Sequence, residues 1–211
     1  MRSIDVAIAF LTKSIERGKE DKRYYMDYVK LHKLIFLGQC FHRYVWNMDL
    51  VDDNILISDS GFYINGLNAV VAYCGFGEIK EVEELKNKQG FYLPMTLLRD
   101  ETCDFILDNF GTLTTMELVK LTKRLDIYQR MIGCNNNVIS SDAIYKTGTD
   151  IFEKDDESIL LKVKVKKTYN FWLYVFIFYL FSGTSILLLI FSSNISGLLN
   201  ICCSSCNDLA I

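Results

Sequence analysis

The sequence predicts a mainly α-helical domain with minor short strands, followed by one C-terminal transmembrane helix. Two observations lead to this. Charge stops abruptly, because no Asp, Glu, Lys or Arg occurs from Thr168 to Asn207. Ahead of that point, apolar residues recur at helical spacing between recognisable caps and glycine stops.

Ser3 is placed to cap a first helix with the apolar face Ile4, Ala7, Ile8, Leu11 and Ile15. The run Gly18-Lys19-Glu20-Asp21-Lys22-Arg23 breaks that pattern and reads as a solvated loop. Asp27 then caps a longer helix carrying Leu31, Leu34, Ile35, Phe41 and Val45 near helical spacing. Asp49 to Asn54 reads as an acidic loop, and Ile55-Leu56-Ile57 hints at a strand through its β-branched residues. Leu67 to Tyr73 reads as a helix ending near Gly75 and Gly77, and residues 90–94 as a short edge strand closed by Pro94.

Further along, Asp100 is expected to open a helix through Phe105, Ile106 and Phe110, with Gly111 as its stop. Thr114 to Glu117 forms a capping-box pattern before Leu118 and Leu121. Asn135 to Asn137 reads as a turn, and Ser141 starts a last helix toward Ile151 and Phe152. Glu153 to Glu157 is an acidic linker. Leu161, Val163 and Val165 then alternate with Lys162, Lys164 and Lys166, a strand period or an extended stalk.

Within the uncharged tail, Phe171 to Phe191 is 21 residues long. As a helix it would cover about 31 Å, close to the thickness of a bilayer's hydrocarbon core. Its 14 Phe, Leu, Ile and Val residues favour insertion by about 4–8 kcal/mol. Lys162, Lys164, Lys166 and Lys167 precede this run, and neither Lys nor Arg follows it. The positive-inside rule therefore predicts a single-pass protein with its N-terminal domain in the cytoplasm. The first residues lack the apolar stretch of a signal peptide. Cys40, Cys74, Cys103 and Cys134 are scattered, and read as small apolar residues. Cys202, Cys203 and Cys206 cluster past the span, where lipid attachment, an intermolecular disulfide or simple packing are all open.

The formal net charge of −3 gives no reason to expect nucleic-acid binding. Catalytic signatures are absent from the sequence: it has no H-E-x-x-H, no Gly-rich phosphate loop with a Lys, no G-x-S-x-G, and no zinc-spaced Cys pair in the charged part. The two histidines, His32 and His42, lie ten apart, roughly 80° in helical projection and almost three turns along the axis. They cannot share a metal on one straight helix. Both read as partly buried polar residues, and a hydrolase using either with a distant Asp is a minor alternative. Asp49, Asp52 and Asp53 read as an exposed loop before a cation site. Lys30, Lys33 and Arg43 read as a basic helix face, explained equally by solvent or by a partner. No cofactor and no metal are expected.

The segment Val29-Lys30-Leu31-His32-Lys33-Leu34-Ile35-Phe36-Leu37-Gly38-Gln39 resembles the K-L-Q-K-L-L-Y-x-A-Q motif of the Panacea domain, the SocA-like antitoxin family. Ile57 to Tyr63 is similar to that family's A-W-x-x-G-P-V segment, and Tyr73 to Gly77 to its Tyr-Gly turn. Leu118 to Asp126 resembles its Leu-Thr-His element, and residues 141–152 its final helix. Ser58 stands where the family has Trp, Phe62 where it has Pro, and Lys123 where it has His. The resemblance spans roughly residues 4–153.

It implies a helical domain that binds and does not catalyse, an antitoxin neutralising a cognate toxin by direct contact. That toxin could be membrane-embedded, and a protease is a further partner in such systems. The alternatives are a membrane-tethered adaptor or scaffold, and an antitoxin domain fused to a toxin-like transmembrane module. The expected organisation is a Panacea-like domain at 1–153, a charged juxtamembrane linker at 154–167, the transmembrane helix at 168–192 and a short Cys-containing tail at 193–211. Expected partner contacts are Lys30, Lys33, Gly61, Phe62 and Tyr63, with the Phe62-Tyr63 pair as the retuned contact.

Overall fold

A computed structural model describes residues 1–89, 95–134 and 137–152. In chain order the helices are α1 (Ser3–Gly18), α2 (Tyr28–Trp46), α3 (Asn68–Cys74), α4 (Glu83–Gln89), α5 (Leu97–Phe110), α6 (Thr115–Lys123), α7 (Asp126–Met131) and α8 (Ser141–Phe152). Strands β1 (Ile55–Ser58) and β2 (Gly61–Ile64) form an antiparallel hairpin with Ile55 opposite Ile64 and Ser58 opposite Gly61. Residues 137–139 add a further rung beside β1, through Ile57 N–H to Asn137 O (2.9 Å) and Ile139 N–H to Ile55 O (3.0 Å). The mainly α-helical expectation with minor strands holds.

Helix α2 is the spine. Asp27 caps it as expected, its carboxylate accepting the Lys30 N–H at 2.7 Å. Every residue from Lys30 to His42 is buried, so polar as well as apolar faces are covered. Helices α1, α5, α6 and α8 and strand β2 all rest on it. Two glycines set how closely the neighbours approach. A Cβ on Gly38 would sit 3.0 Å from the Leu50 side chain, and one on Gly148 would sit 2.4 Å from the Cys40 carbonyl oxygen of α2. Around the α8 contact, the Phe41 and Phe105 rings stack at 4.0 Å and Phe152 meets Phe41 edge-on at 5.2 Å.

Several local expectations are corrected. Ser3 does not cap α1. It lies inside the helix and its backbone N–H donates to Asp53 (2.9 Å), 50 residues away. That end is held instead by the Arg2–Asp5 ion pair and by the loop after α2. Helix α5 begins at Leu97, not at Asp100, because Thr96 already has an extended backbone and accepts the Asp100 N–H at 2.9 Å. Helix α4 and strand β2 were not foreseen. Cys40 and Cys103 are buried as expected, whereas Cys134 is exposed.

The capping box is as the sequence reads. Thr114 and Glu117 exchange hydrogen bonds of 2.9 Å and 3.3 Å at the start of α6. Thr114→Ala should cost about 0.5–2 kcal/mol, read as a lower urea midpoint at unchanged slope.

The membrane expectation also needs correction. Among the described residues, no helix is long and apolar enough to cross a membrane. The predicted span, 168–192, lies outside the described residues, as do the edge strand at 90–94, the linker at 154–167 and the tail at 193–211. The transmembrane helix, the single-pass topology and the membrane location are therefore without structural support and take no further part.

Candidate functional site

Of the five residues singled out for partner contact, the structure brings Lys33, Gly61 and Phe62 together, but inside the domain. The Lys33 ammonium donates to the Phe62 carbonyl at 2.6 Å. The Phe62 ring is fully buried and stacks on Phe36 with centroids 3.8 Å apart. Gly61 has φ +101°, and a Cβ there would lie 3.0 Å from the Lys33 Nζ. Only glycine takes that backbone without strain and leaves the ammonium room. Phe62 is thus a core anchor of the hairpin, not an exposed contact. Tyr63, half-buried, is the member of the set that reaches the surface.

Lys30 is corrected in the same way. It is fully buried, donates to the Arg23 carbonyl at 3.0 Å and sits 4.5 Å over the Tyr25 ring. Desolvation pulls both ammonium groups down to about 8, countered at Lys30 by Asp27 and Glu117 and deepened at Lys33 by Lys123. A basic stripe at helical spacing looks solvated in the sequence. Here its Lys30 and Lys33 are covered by the segment before α2 and the hairpin, while Arg43 stays half-buried beside Asp49.

The histidines sit in separate places. His32 Nδ1 accepts the Ile64 N–H at 2.9 Å, so the neutral ring carries its proton on Nε2. Its ring meets Tyr28 edge to face at 4.4 Å and Tyr63 at 6.3 Å. His42 Nδ1 lies 2.8 Å from the Thr102 hydroxyl. That hydroxyl donates to Leu98 O at 2.9 Å, so it accepts from His42, which is protonated at Nδ1. Burial holds His32 down to about 3, with Lys33 adding to it, and His42 down to about 4, helped by Arg99 and the N-terminal ammonium. Neither ring has a carboxylate partner in the hydrogen bonds it makes. His42 Nε2 and the Ser3 hydroxyl are both buried without a hydrogen-bond partner, so they do not form a dyad.

Gln39 performs a comparable structural task. Its side-chain oxygen accepts the Leu50 and Val51 N–H groups at 2.8 and 3.0 Å, and its amide donates to Asp49 at 2.7 Å. The acidic loop is therefore engaged by protein groups: Asp49 by Gln39, Asp52 by the N-terminal ammonium, Asp53 by the Ser3 N–H. Among the described residues, no group of three His, Cys, Asp or Glu is placed to hold a metal ion.

The surface carries a feature that sequence reasoning missed. The segment after α3 returns to the start of α2, where Ile79 N–H donates to Met26 O at 2.7 Å. Between this segment and the end of α1 lies a cleft of about 420 Å³. Ile15, Met26 and Ile79 supply its apolar part, and Lys19, Lys22 and Lys80 its ammonium groups. Ser14, Gly18, Tyr24, Tyr25 and Glu78 complete the lining. Two residues before Glu78, Phe76 is 70% exposed while touching the Tyr28 ring edge-on at 5.6 Å. The two walls lie more than 50 residues apart in sequence, and no motif links them.

No protein-family model, no curated protein and no solved structure matches this chain. The antitoxin role implied by the resemblance, and its adaptor and fused-toxin alternatives, are corrected accordingly: the comparisons give them no support, and their membrane anchor has none either.

Proposed function

We propose that this chain is a non-catalytic ligand-binding domain of the Panacea type, with α2 as its structural spine and the lysine-bearing cleft as its working surface. The supporting observation is how the buried polar side chains of α2 are engaged. Lys30 and Lys33 donate to main-chain carbonyls, Gln39 binds main-chain amides, and His32 accepts from one. His42 meets a threonine that is itself held by the main chain. Lys33 and His32 both fasten β2, through the Phe62 carbonyl and the Ile64 N–H, while Lys30, Gln39 and His42 each hold a different junction. These bonds go to the protein itself, whereas acid–base or nucleophilic catalysis needs groups aimed together at a substrate atom. The buried thiols of Cys40 and Cys103 are pushed up in pKa by desolvation, which removes the reactive thiolate.

Complementation in the native host tests this reading. In a strain lacking the gene, His32→Gln and His42→Gln should restore fitness to the extent that they fold. Lys19→Glu, Lys22→Glu and Lys80→Glu combined should fold normally and fail to complement. If a folded histidine variant fails while the cleft variant complements, the domain is catalytic and the cleft is idle.

A further inference from the structure

We infer that the cleft between the end of α1 and residues 78–80 takes a small amphiphilic anion: an apolar or aromatic body bearing a phosphate or carboxylate. The inference rests on the cleft being the working surface and adds the chemistry of what it holds. A volume of about 420 Å³ lies within the usual range for small-molecule sites, about 300–1,000 Å³.

The cleft has two chemically distinct parts. Met26 and Ile79 are buried and Ile15 half-buried, so the apolar part is anchored in the core. Lys19, Lys22 and Lys80 are all exposed. Among the described residues, the Lys19 and Lys22 ammonium groups have no ion-pair partner. Lys80 has Glu78 at 3.9 Å, so among the lining residues three ammonium groups face one carboxylate. Arg23, next in sequence to Lys22, adds nothing to this, because Asp21 pairs with it.

Two features that would repel an anion are partly engaged by the protein itself. At the end of α1, the Glu16 carbonyl accepts from the Lys19 N–H, and the Arg17 carbonyl from Glu20 and Asp21, so two of the terminal carbonyls are turned to the chain that follows. The second is the Tyr24 carbonyl, which accepts from the buried Ser14 hydroxyl. An inorganic anion would use only the lysines and leave the apolar part in water, whereas an apolar cation would meet the excess of ammonium groups. An apolar body with an anionic head satisfies both parts at once.

The probe is 1-naphthyl phosphate, titrated calorimetrically into the full chain with inorganic phosphate in parallel. Naphthyl phosphate should bind saturably and at least about tenfold more tightly than inorganic phosphate. Lys19→Ala, Lys22→Ala and Lys80→Ala combined should weaken it about tenfold or more, the effect of three screened charge contacts, with circular dichroism and unfolding midpoint unchanged. Lys120→Ala with Lys146→Ala, away from the cleft, should leave the affinity within about twofold. Absence of saturable binding, equal affinity for inorganic phosphate, or equal losses in the cleft and control variants would each overturn the ligand assignment. The non-catalytic reading fails by a different route: a folded histidine variant that no longer complements, whatever the calorimetry shows.

Discussion

Gly148→Val is expected to destabilise the domain by about 3 kcal/mol or more, at or beyond the usual cost of overpacking a core. The obstacle is backbone. A Cβ at residue 148 meets the Cys40 carbonyl oxygen at 2.4 Å and the Tyr44 Cβ at 2.8 Å, and neither can swing aside as a flexible side-chain end would. Helix α8 would have to lift from α2, taking Ile144, Thr147 and Ile151 partly out of the core. Phe152 would lose its contacts with Phe41 and Phe105. Urea denaturation measures the effect. A loss below about 0.5 kcal/mol, typical of surface changes, would show that α8 does not rest on α2 at this glycine.

Acid should unfold the domain well before its carboxylates are fully protonated, and the two histidines should drive this. Both folded-state values, about 3 for His32 and about 4 for His42, lie below the unfolded value of about 6.5. Between these limits the unfolded chain binds more protons than the folded one, so stability falls as pH falls. The stabilisation is complete above about pH 6.5 and is lost progressively down to pH 3–4. At pH 4.5, about two units into that window, each ring should cost on the order of 2–3 kcal/mol. Together that is a large part of a typical 5–15 kcal/mol. His32→Gln can keep an acceptor for the Ile64 N–H without a titrating proton, and should remove about half of the pH 7 to pH 4.5 loss. Equal losses in wild type and variant would mean His32 titrates normally in the fold.

At alkaline pH the lysines act with the same sign. Lys30 and Lys33, held near 8 when folded, bind fewer protons folded than unfolded between about pH 8 and 10.5, so stability rises there. The buried Cys40 and Cys103 thiols, raised by desolvation, oppose this once unfolded thiols begin to ionise near pH 8.5–9.

Much of the helical framework was legible because its signals are local. Asp27, the Thr114–Glu117 box, the Gly111 stop and Ser141 each mark a helix boundary within a few residues, and the structure places boundaries there. Strand β2 was missed because four residues beginning at a glycine carry too little period to read. Ser3 misled because a residue type suited to capping was placed by a distant carboxylate, Asp53.

Lys30 and Lys33 misled for a deeper reason. Charged residues are almost never fully buried unless paired. Here the partners are main-chain carbonyls at Arg23 and Phe62, which a sequence cannot display. At the same junction the Phe62 ring, expected to meet a partner, is buried and stacks on Phe36. The cleft was invisible because one wall comes from residues 14–26 and the other from 78–80, brought together by tertiary structure alone.

The central claim is that the ionisable row along α2 serves the fold, with each histidine neutral, buried and fixed in one tautomer. Long-range proton–nitrogen correlation spectra of the histidine rings in the full chain, followed from about pH 8 to pH 5, test it most directly. The account predicts His32 protonated at Nε2, His42 protonated at Nδ1, and neither ring titrating across that range. A ring that titrates near pH 6.5, or that averages between tautomers, would contradict it.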